Sequence, residues 1–177
     1  MSAIESLLQP DDYLVVTDTE TTGVHAHQHR VIEVAGLRVE ADGNRSEFSR
    51  LINPGTSIPH RITRITGITS AMVFDQPAAA DIIPQFREFL GEGIFVAHNI
   101  GFDWSFLNAE FERLDMLPME NRGLCTLRLA RRLLPGLRSK SLGSLAKFYR
   151  IPPDGRHRAA KDVEITTKVL ERFCEMA

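Results

Sequence analysis

The chain predicts a mixed α/β fold, one domain with a central sheet of about five strands and helices on both faces. Three observations carry this expectation. Short β-branched apolar runs cluster in the first third of the chain. Strand-type and helix-type patterns alternate after it. No repeat, low-complexity stretch or Pro/Gly/Ser-rich linker divides the 177 residues, whose 43% hydrophobic and 25% charged content suits a single core.

Tyr13 to Thr17 form the first apolar run and end at Asp18, and 31–39 and 48–52 supply two more strand-like segments. The turn signal Ala41-Asp42-Gly43-Asn44 joins the last two as a hairpin. Asn53-Pro54-Gly55 opens a loop with a short helical piece. Gln76-Pro77 then introduces a helix with Ile82, Ile83, Phe86 and Leu90 at helical spacing, expected to pack on the sheet. Residues 94–97 read as a buried strand, and helices follow over about 102–114, 126–134, 142–149 and 159–175. Pro152, Pro153 and Gly155 mark a loop before the last helix, and the chain stops at Ala177 just after it. That ending suits either a self-standing protein or a domain of a longer one.

A formal charge of −2 gives no whole-molecule attraction to nucleic acid, so any contact with phosphates has to be local. Two distant cysteines, Cys125 and Cys174, argue against a disulfide framework and fit a reducing cytoplasm. No stretch approaches the ~18 apolar residues of a membrane span, and residues 1–10 lack the pattern of a secretory leader. The expectation is a soluble, cytoplasmic protein without a membrane partner.

Asp18 and Glu20 flank Thr19, and the two-residue period of a strand puts both carboxylates on one side. An isolated pair of this kind fits turn residues bonded to local N–H groups better than a metal site. Asp103 shares a helical face with Phe106, Leu107 and Leu114, and Asp162 with Ile165, Thr166, Val169, Leu170 and Phe173, so both lean towards the core. Each alone fits a helix cap equally well. Several carboxylates aimed at one interior would raise one another's pKa and repel unless a cation lay between them. Hard oxygen donors select Mg²⁺ or Mn²⁺ over zinc.

Asp18-Thr19-Glu20-Thr21-Thr22-Gly23, His98-Asn99-Ile100-Gly101-Phe102-Asp103 and His157-Arg158-Ala159-Ala160-Lys161-Asp162 resemble the three exonuclease motifs of the DEDD superfamily. The histidine five residues before the last Asp marks the DEDDh branch. Ile65-Thr66-Gly67-Ile68-Thr69 is similar to a segment of the proofreading exonucleases of bacterial replicative polymerases, including the epsilon subunit of DNA polymerase III. The resemblance covers about residues 12 to 173.

It implies an RNase H-like fold, two divalent cations, Mg²⁺ or Mn²⁺, and 3′-to-5′ hydrolysis of single-stranded or frayed DNA to nucleoside 5′-monophosphates, in proofreading or DNA repair. A DNA polymerase subunit is the implied protein partner. Asp18, Glu20, Asp103 and Asp162 take the ligand positions, with Asp18 bridging, and His157 that of the general base, on a loop or first turn where it can swing over the site. An RNA substrate, as in the RNase T and oligoribonuclease relatives, stays open. So does a non-catalytic nucleic-acid- or polymerase-binding module, although such a module would be expected to have lost a carboxylate.

For the substrate, Thr19, Thr21, Thr22 and Gly23 offer N–H and hydroxyl groups to the terminal sugar or phosphate, and the segment from Ile65 and Thr66 to Ile68, with Phe102, could pack the last base. His98 and Asn99 join this set, though His98 could simply bond a neighbouring loop. His25, His27 and His29 alternate in a loop and are expected to face solvent. Arg122, Arg128, Arg131, Arg132, Arg138 and Lys140, interleaved with leucines, read as the solvated side of an amphipathic helix more readily than as a nucleic-acid patch.

Overall fold

The computed structural model describes residues 3–152 and 157–176; Pro153 and Gly155, expected in the loop before the last helix, lie outside the described residues. Five strands, β1 (Tyr13–Thr21), β2 (Val31–Glu40), β3 (Arg45–Leu51), β4 (Ile94–Ala97) and β5 (Gly123–Cys125), form one mixed sheet in the order β3-β2-β1-β4-β5. The hairpin is present: β2 pairs antiparallel with β3, and Gly43 takes the positive φ of its turn, 93°. β1 pairs antiparallel with β2 and parallel with β4, and β4 runs parallel to β5.

A short 3-10 turn (Glu5–Leu7) and seven α-helices complete the described chain: α1 (His60–Thr66), α2 (Ser70–Phe74), α3 (Ala79–Leu90), α4 (Gly101–Arg113), α5 (Thr126–Leu133), α6 (Leu142–Phe148) and α7 (Ala159–Cys174). The period-2 pattern of β1 divides them between two cores. Val15 packs with Phe95 against Ile83, Phe86, Phe106 and Phe111 of α3 and α4. Leu14 and Val16 turn the other way and meet Val163 and Leu170 of α7. The outer side of α7 carries Ile165, Val169 and Phe173 into a further cluster with α5 and α6. Helix α7 is therefore packed from several sides along its apolar positions.

Three differences from expectation matter. β1 does not stop before Asp18 but continues to Thr21, because β2 pairs with it that far, through a register shift between Glu20 and Thr21. β5 is unforeseen: three residues beginning with glycine are too few to show a period. The single expected helical piece is two helices. Gly67, at φ 73°, ends α1 in the left-handed conformation, and the Thr69 side chain caps α2 by accepting from Met72 N–H.

Candidate active site

β1 is paired on both sides over Leu14 to Val16 and continues beyond that stretch on β2 alone, so its end projects from the middle of the sheet past its pairing with β4. Asp18 stands opposite Ala35 and Glu20 opposite Glu33. Both carboxylates thus share the α7 side with Leu14 and Val16 and lie partly exposed there. Asp162, 6% exposed, lies in the first turn of α7, and its Oδ2 accepts a hydrogen bond from His157 N–H at 3.3 Å. Potential ligand atoms of Glu20, His157 and Asp162 lie within 4.8 Å of one another.

Asp103 comes from the opposite side of the sheet, in the first turn of α4, and is 2% exposed. Its Oδ1 accepts from Thr19 N–H at 2.9 Å and from the Thr19 hydroxyl at 2.8 Å. The residue between Asp18 and Glu20 thereby ties the fourth carboxylate to the same strand end. A cleft of about 730 Å³ opens here, lined by Asp18, Asp162, His98, Asn99, Arg131 and Arg138 among others. A second cavity, about 680 Å³, lies between α7 and the β2–β3 hairpin, away from this acid cluster.

The electrostatics follow from the crowding. Asp18 is held well above the ordinary carboxylate range, first by burial and then by the negative charges of Asp103, Glu20, Asp162 and Glu33. Glu20 is pushed up to about 8 by burial, then by Asp162, Glu33 and Asp103, with the Arg158 guanidinium partly offsetting them. Asp103 rises to about 7: burial and Asp162 outweigh the opposing bonds from Thr19. A group of acids that resists full ionisation, with oxygen donors and one imidazole around a common space, is the donor set of a hard divalent cation. The residues present fit such an ion.

The expected substrate contacts fare less evenly. Thr19 is 5% exposed and its hydroxyl is committed to Asp103, so it positions a carboxylate and does not face a substrate. Thr21 and Thr22 are buried; the Thr21 hydroxyl donates to Gly23 C=O, while Thr22 donates its N–H to Arg30 C=O and accepts from Arg30 N–H at its hydroxyl. Thr22 thus braces the loop against Arg30, while Thr21 ties down its first residues. Gly23 is needed there because a Cβ would overlap the His29 ring.

Thr66 is also turned inward, its hydroxyl donating to Ile62 C=O and accepting from Ile68 N–H, and Ile68 is a core residue. Ile65, 45% exposed, remains available for a base. Phe102 is half-buried, its ring 4.8 Å from that of Phe106. His98 and Asn99 do line the cleft, and His98 Nδ1 lies 3.0 Å from the buried Thr126 hydroxyl.

Arg131, Arg138 and Lys140 are not merely solvated. The chain doubles back after α5 and brings them onto one wall of the cleft. Arg122, in contrast, points elsewhere and pairs with Asp12 at 3.0 Å. His25 and His27 are exposed as expected, and the three loop histidines form no metal-ligating group among the described residues.

Two participants escaped the sequence reading. Glu33, 3% exposed, and Arg158 form an ion pair at 2.7 Å beside Glu20. A signal existed: Glu33 is the one charge within Val31-Ile32-Glu33-Val34-Ala35, at the parity shared by Ala35, Leu37 and Val39.

Comparison with known proteins adds an independent line. A family profile described as Exonuclease (RNase_T) matches residues 15–170. The DNA polymerase III subunit epsilon of Aquifex aeolicus is 38% identical over 165 residues, covering 93% of this chain and 82% of the relative. The PolC-type DNA polymerase III of Oceanobacillus iheyensis is 39% identical over 165 residues, but this chain spans only 12% of its length. Among solved structures, exonuclease X in complex with 5′ overhanging duplex DNA superposes with a TM-score of 0.74 at 32% identity, covering 93% of this chain and 92% of that one.

Proposed function

The chain belongs to the RNase_T exonuclease family and has its RNase H-like fold, and on that premise we propose a two-cation 3′-to-5′ DNA exonuclease releasing nucleoside 5′-monophosphates. Asp18, Glu20, Asp103 and Asp162 hold the cations, Mg²⁺ or Mn²⁺, and His157 is the general base. The observation that carries this reading is the meeting of three distant segments at one strand end: ligand atoms of Glu20, His157 and Asp162 lie within 4.8 Å of one another, Asp18 and Asp162 line one cleft, and Asp103 is bonded to Thr19 between Asp18 and Glu20.

A pair of divalent ions bound by these carboxylates supplies charge neutralisation at the phosphate, hydroxide at neutral pH and stabilisation of the leaving 3′ oxygen. The protein's own residues do the rest. Thr19 fixes Asp103 through two bonds, so that this carboxylate needs no reorganisation on binding. An imidazole nitrogen of His157 takes the proton of the attacking water from its place beside Glu20 and Asp162. Arg131, Arg138 and Lys140 meet the phosphates of the strand that trails away from its 3′ end, over the turn between α5 and α6. Ile65 packs the terminal base.

The relatives named as polymerase III components support a proofreading role with a polymerase as partner. No helix among the described residues is long and apolar enough to cross a membrane, and with the free thiols of Cys125 and Cys174 this supports a place in the cytoplasm.

The test uses 5′-labelled single-stranded DNA and RNA oligonucleotides with Mg²⁺ or Mn²⁺. The native protein trims DNA stepwise from the 3′ end, and Asp18→Ala abolishes the reaction with the circular dichroism spectrum unchanged. Cleavage surviving Asp18→Ala would refute the site, and much faster trimming of RNA would refute the DNA assignment.

A further inference from the structure

Helix α7 begins without a cap of its own. Its N-cap residue, Arg158, has extended dihedrals and offers no side-chain bond to the free N–H groups of the first turn. The acceptor comes from another element: Glu33 of β2, whose Oε2 takes the Ala159 N–H at 2.8 Å. The same carboxylate receives Arg158 Nη2 at 2.7 Å on Oε1 and Arg158 Nε at 3.1 Å from each oxygen. Glu33 is almost fully buried and stands directly across the sheet from Glu20. One buried carboxylate therefore joins the strand pair that carries Glu20 to the turn that carries Asp162.

A local Ser or Asp cap would stop the helix from fraying equally well. It would leave the first turn of α7 located by apolar packing alone, which is not directional, and the distance from Glu20 to Asp162 would be set less sharply. A bidentate pair to β2 fixes position and orientation together. The neighbouring residue shows what has to be held: His157 sits at φ 64°, a conformation that costs a non-glycine residue energy and persists only where its surroundings impose it. Its N–H reaches Asp162 Oδ2 across the same turn.

We propose that Glu33 and Arg158 are positioning residues for the reaction, a strand-to-helix clamp that sets His157 and Asp162 in register with Glu20. The inference rests on the exonuclease reading above. Neither residue touches the reacting atoms. Their effect is exerted on how well the carboxylates converge and on where the imidazole stands.

The experiment compares Arg158→Ala, Arg158→Lys and Glu33→Gln with Ile83→Ala, a core truncation in α3 remote from the cleft. Steady-state hydrolysis of a single-stranded DNA oligonucleotide gives kcat and KM, calorimetric titration of the metal-free protein with Mn²⁺ gives ion affinity, and thermal melting reports stability. Arg158→Ala and Glu33→Gln are expected to lower kcat and to weaken Mn²⁺ binding, each about 10–100-fold, with KM for DNA little changed. Arg158→Lys, which keeps the charge without the fork, loses less. Guanidinium chloride in the millimolar range restores kcat to Arg158→Ala and does nothing for Ile83→Ala.

If Arg158→Ala melts lower, as Ile83→Ala does, yet keeps native kcat and Mn²⁺ affinity, the pair is only a cap and the proposal fails. If Arg158→Ala does not fold, Arg158→Lys decides: a reduced kcat at native circular dichroism supports the clamp and a native kcat overturns it. Failure of the exonuclease reading itself is distinct, since the unaltered protein would then leave DNA intact while the Mn²⁺ titrations still report on the clamp.

Discussion

Asp103 shows how much of the site depends on a single neighbouring side chain. Thr19→Val keeps the N–H bond and removes the hydroxyl bond, so kcat should fall about tenfold; Thr19→Ser should restore it, and a Val variant at native rate would show that the hydroxyl is dispensable. His157→Ala should slow cleavage by a factor of about 10²–10⁴ with Mn²⁺ affinity changed far less. The raised acids also make a pH prediction for the metal-free protein. Glu20 at about 8 and Asp103 at about 7 lie above their ordinary values, so the folded state holds protons that the unfolded chain has already released. Their contribution is most favourable below the ordinary carboxylate pKa and is lost as pH rises through about 7 to 8. In chelator, Tm should therefore drop by at least about 4 °C between pH 5 and pH 8. Added Mg²⁺ should raise it more at the higher pH. A flat profile would contradict the crowding.

At the scale of elements, the loop between β1 and β2 is braced rather than open. Arg30 donates to both oxygens of the buried Glu110, Val31 N–H donates to the same carboxylate, and the His29 ring lies against Gly23. Gly23→Ala should cost about 1–3 kcal/mol by forcing that ring out of place, measurable by urea denaturation; an unchanged midpoint would mean that the ring relocates freely. The elements also show what sequence can and cannot carry. Parity on β1 was enough to put Asp18 and Glu20 on one side of the strand, and register on α4 and α7 to lean Asp103 and Asp162 towards the core, because each is a local periodic property. The Thr19–Asp103 bond and the Glu33–Arg158 pair join residues 84 and 125 apart, and no local pattern encodes such a meeting. The hydroxyl bonds of Thr21, Thr22 and Thr66 were not legible for a related reason. A threonine near a motif has a hydroxyl for any use, and only the folded chain shows that the backbone has already taken it.

For the whole molecule, the distribution of charge matters more than its sum. A net charge near zero conceals one acidic strand end facing a wall of Arg131, Arg138 and Lys140. Replacing Arg131 and Arg138 with Ala together should raise KM for a long oligonucleotide at least about tenfold and lower the salt slope of binding by about one to two. Binding measured by fluorescence anisotropy across a salt series checks this, and an unchanged slope would place the strand elsewhere. The assembly of the site from widely separated segments has a further meaning during synthesis. Asp18 is made early and Asp162 late, and at a translation rate of about 5–20 residues per second roughly 7–29 s separate them. Once Cys125 has ended β5, and until Asp162 is made, the growing chain has every strand of the sheet and three of its four carboxylates, yet no α7 to close the site. A nascent polypeptide is in this way disarmed by the order of its own residues, and hydrolytic capacity arrives in one step, when the last helix docks.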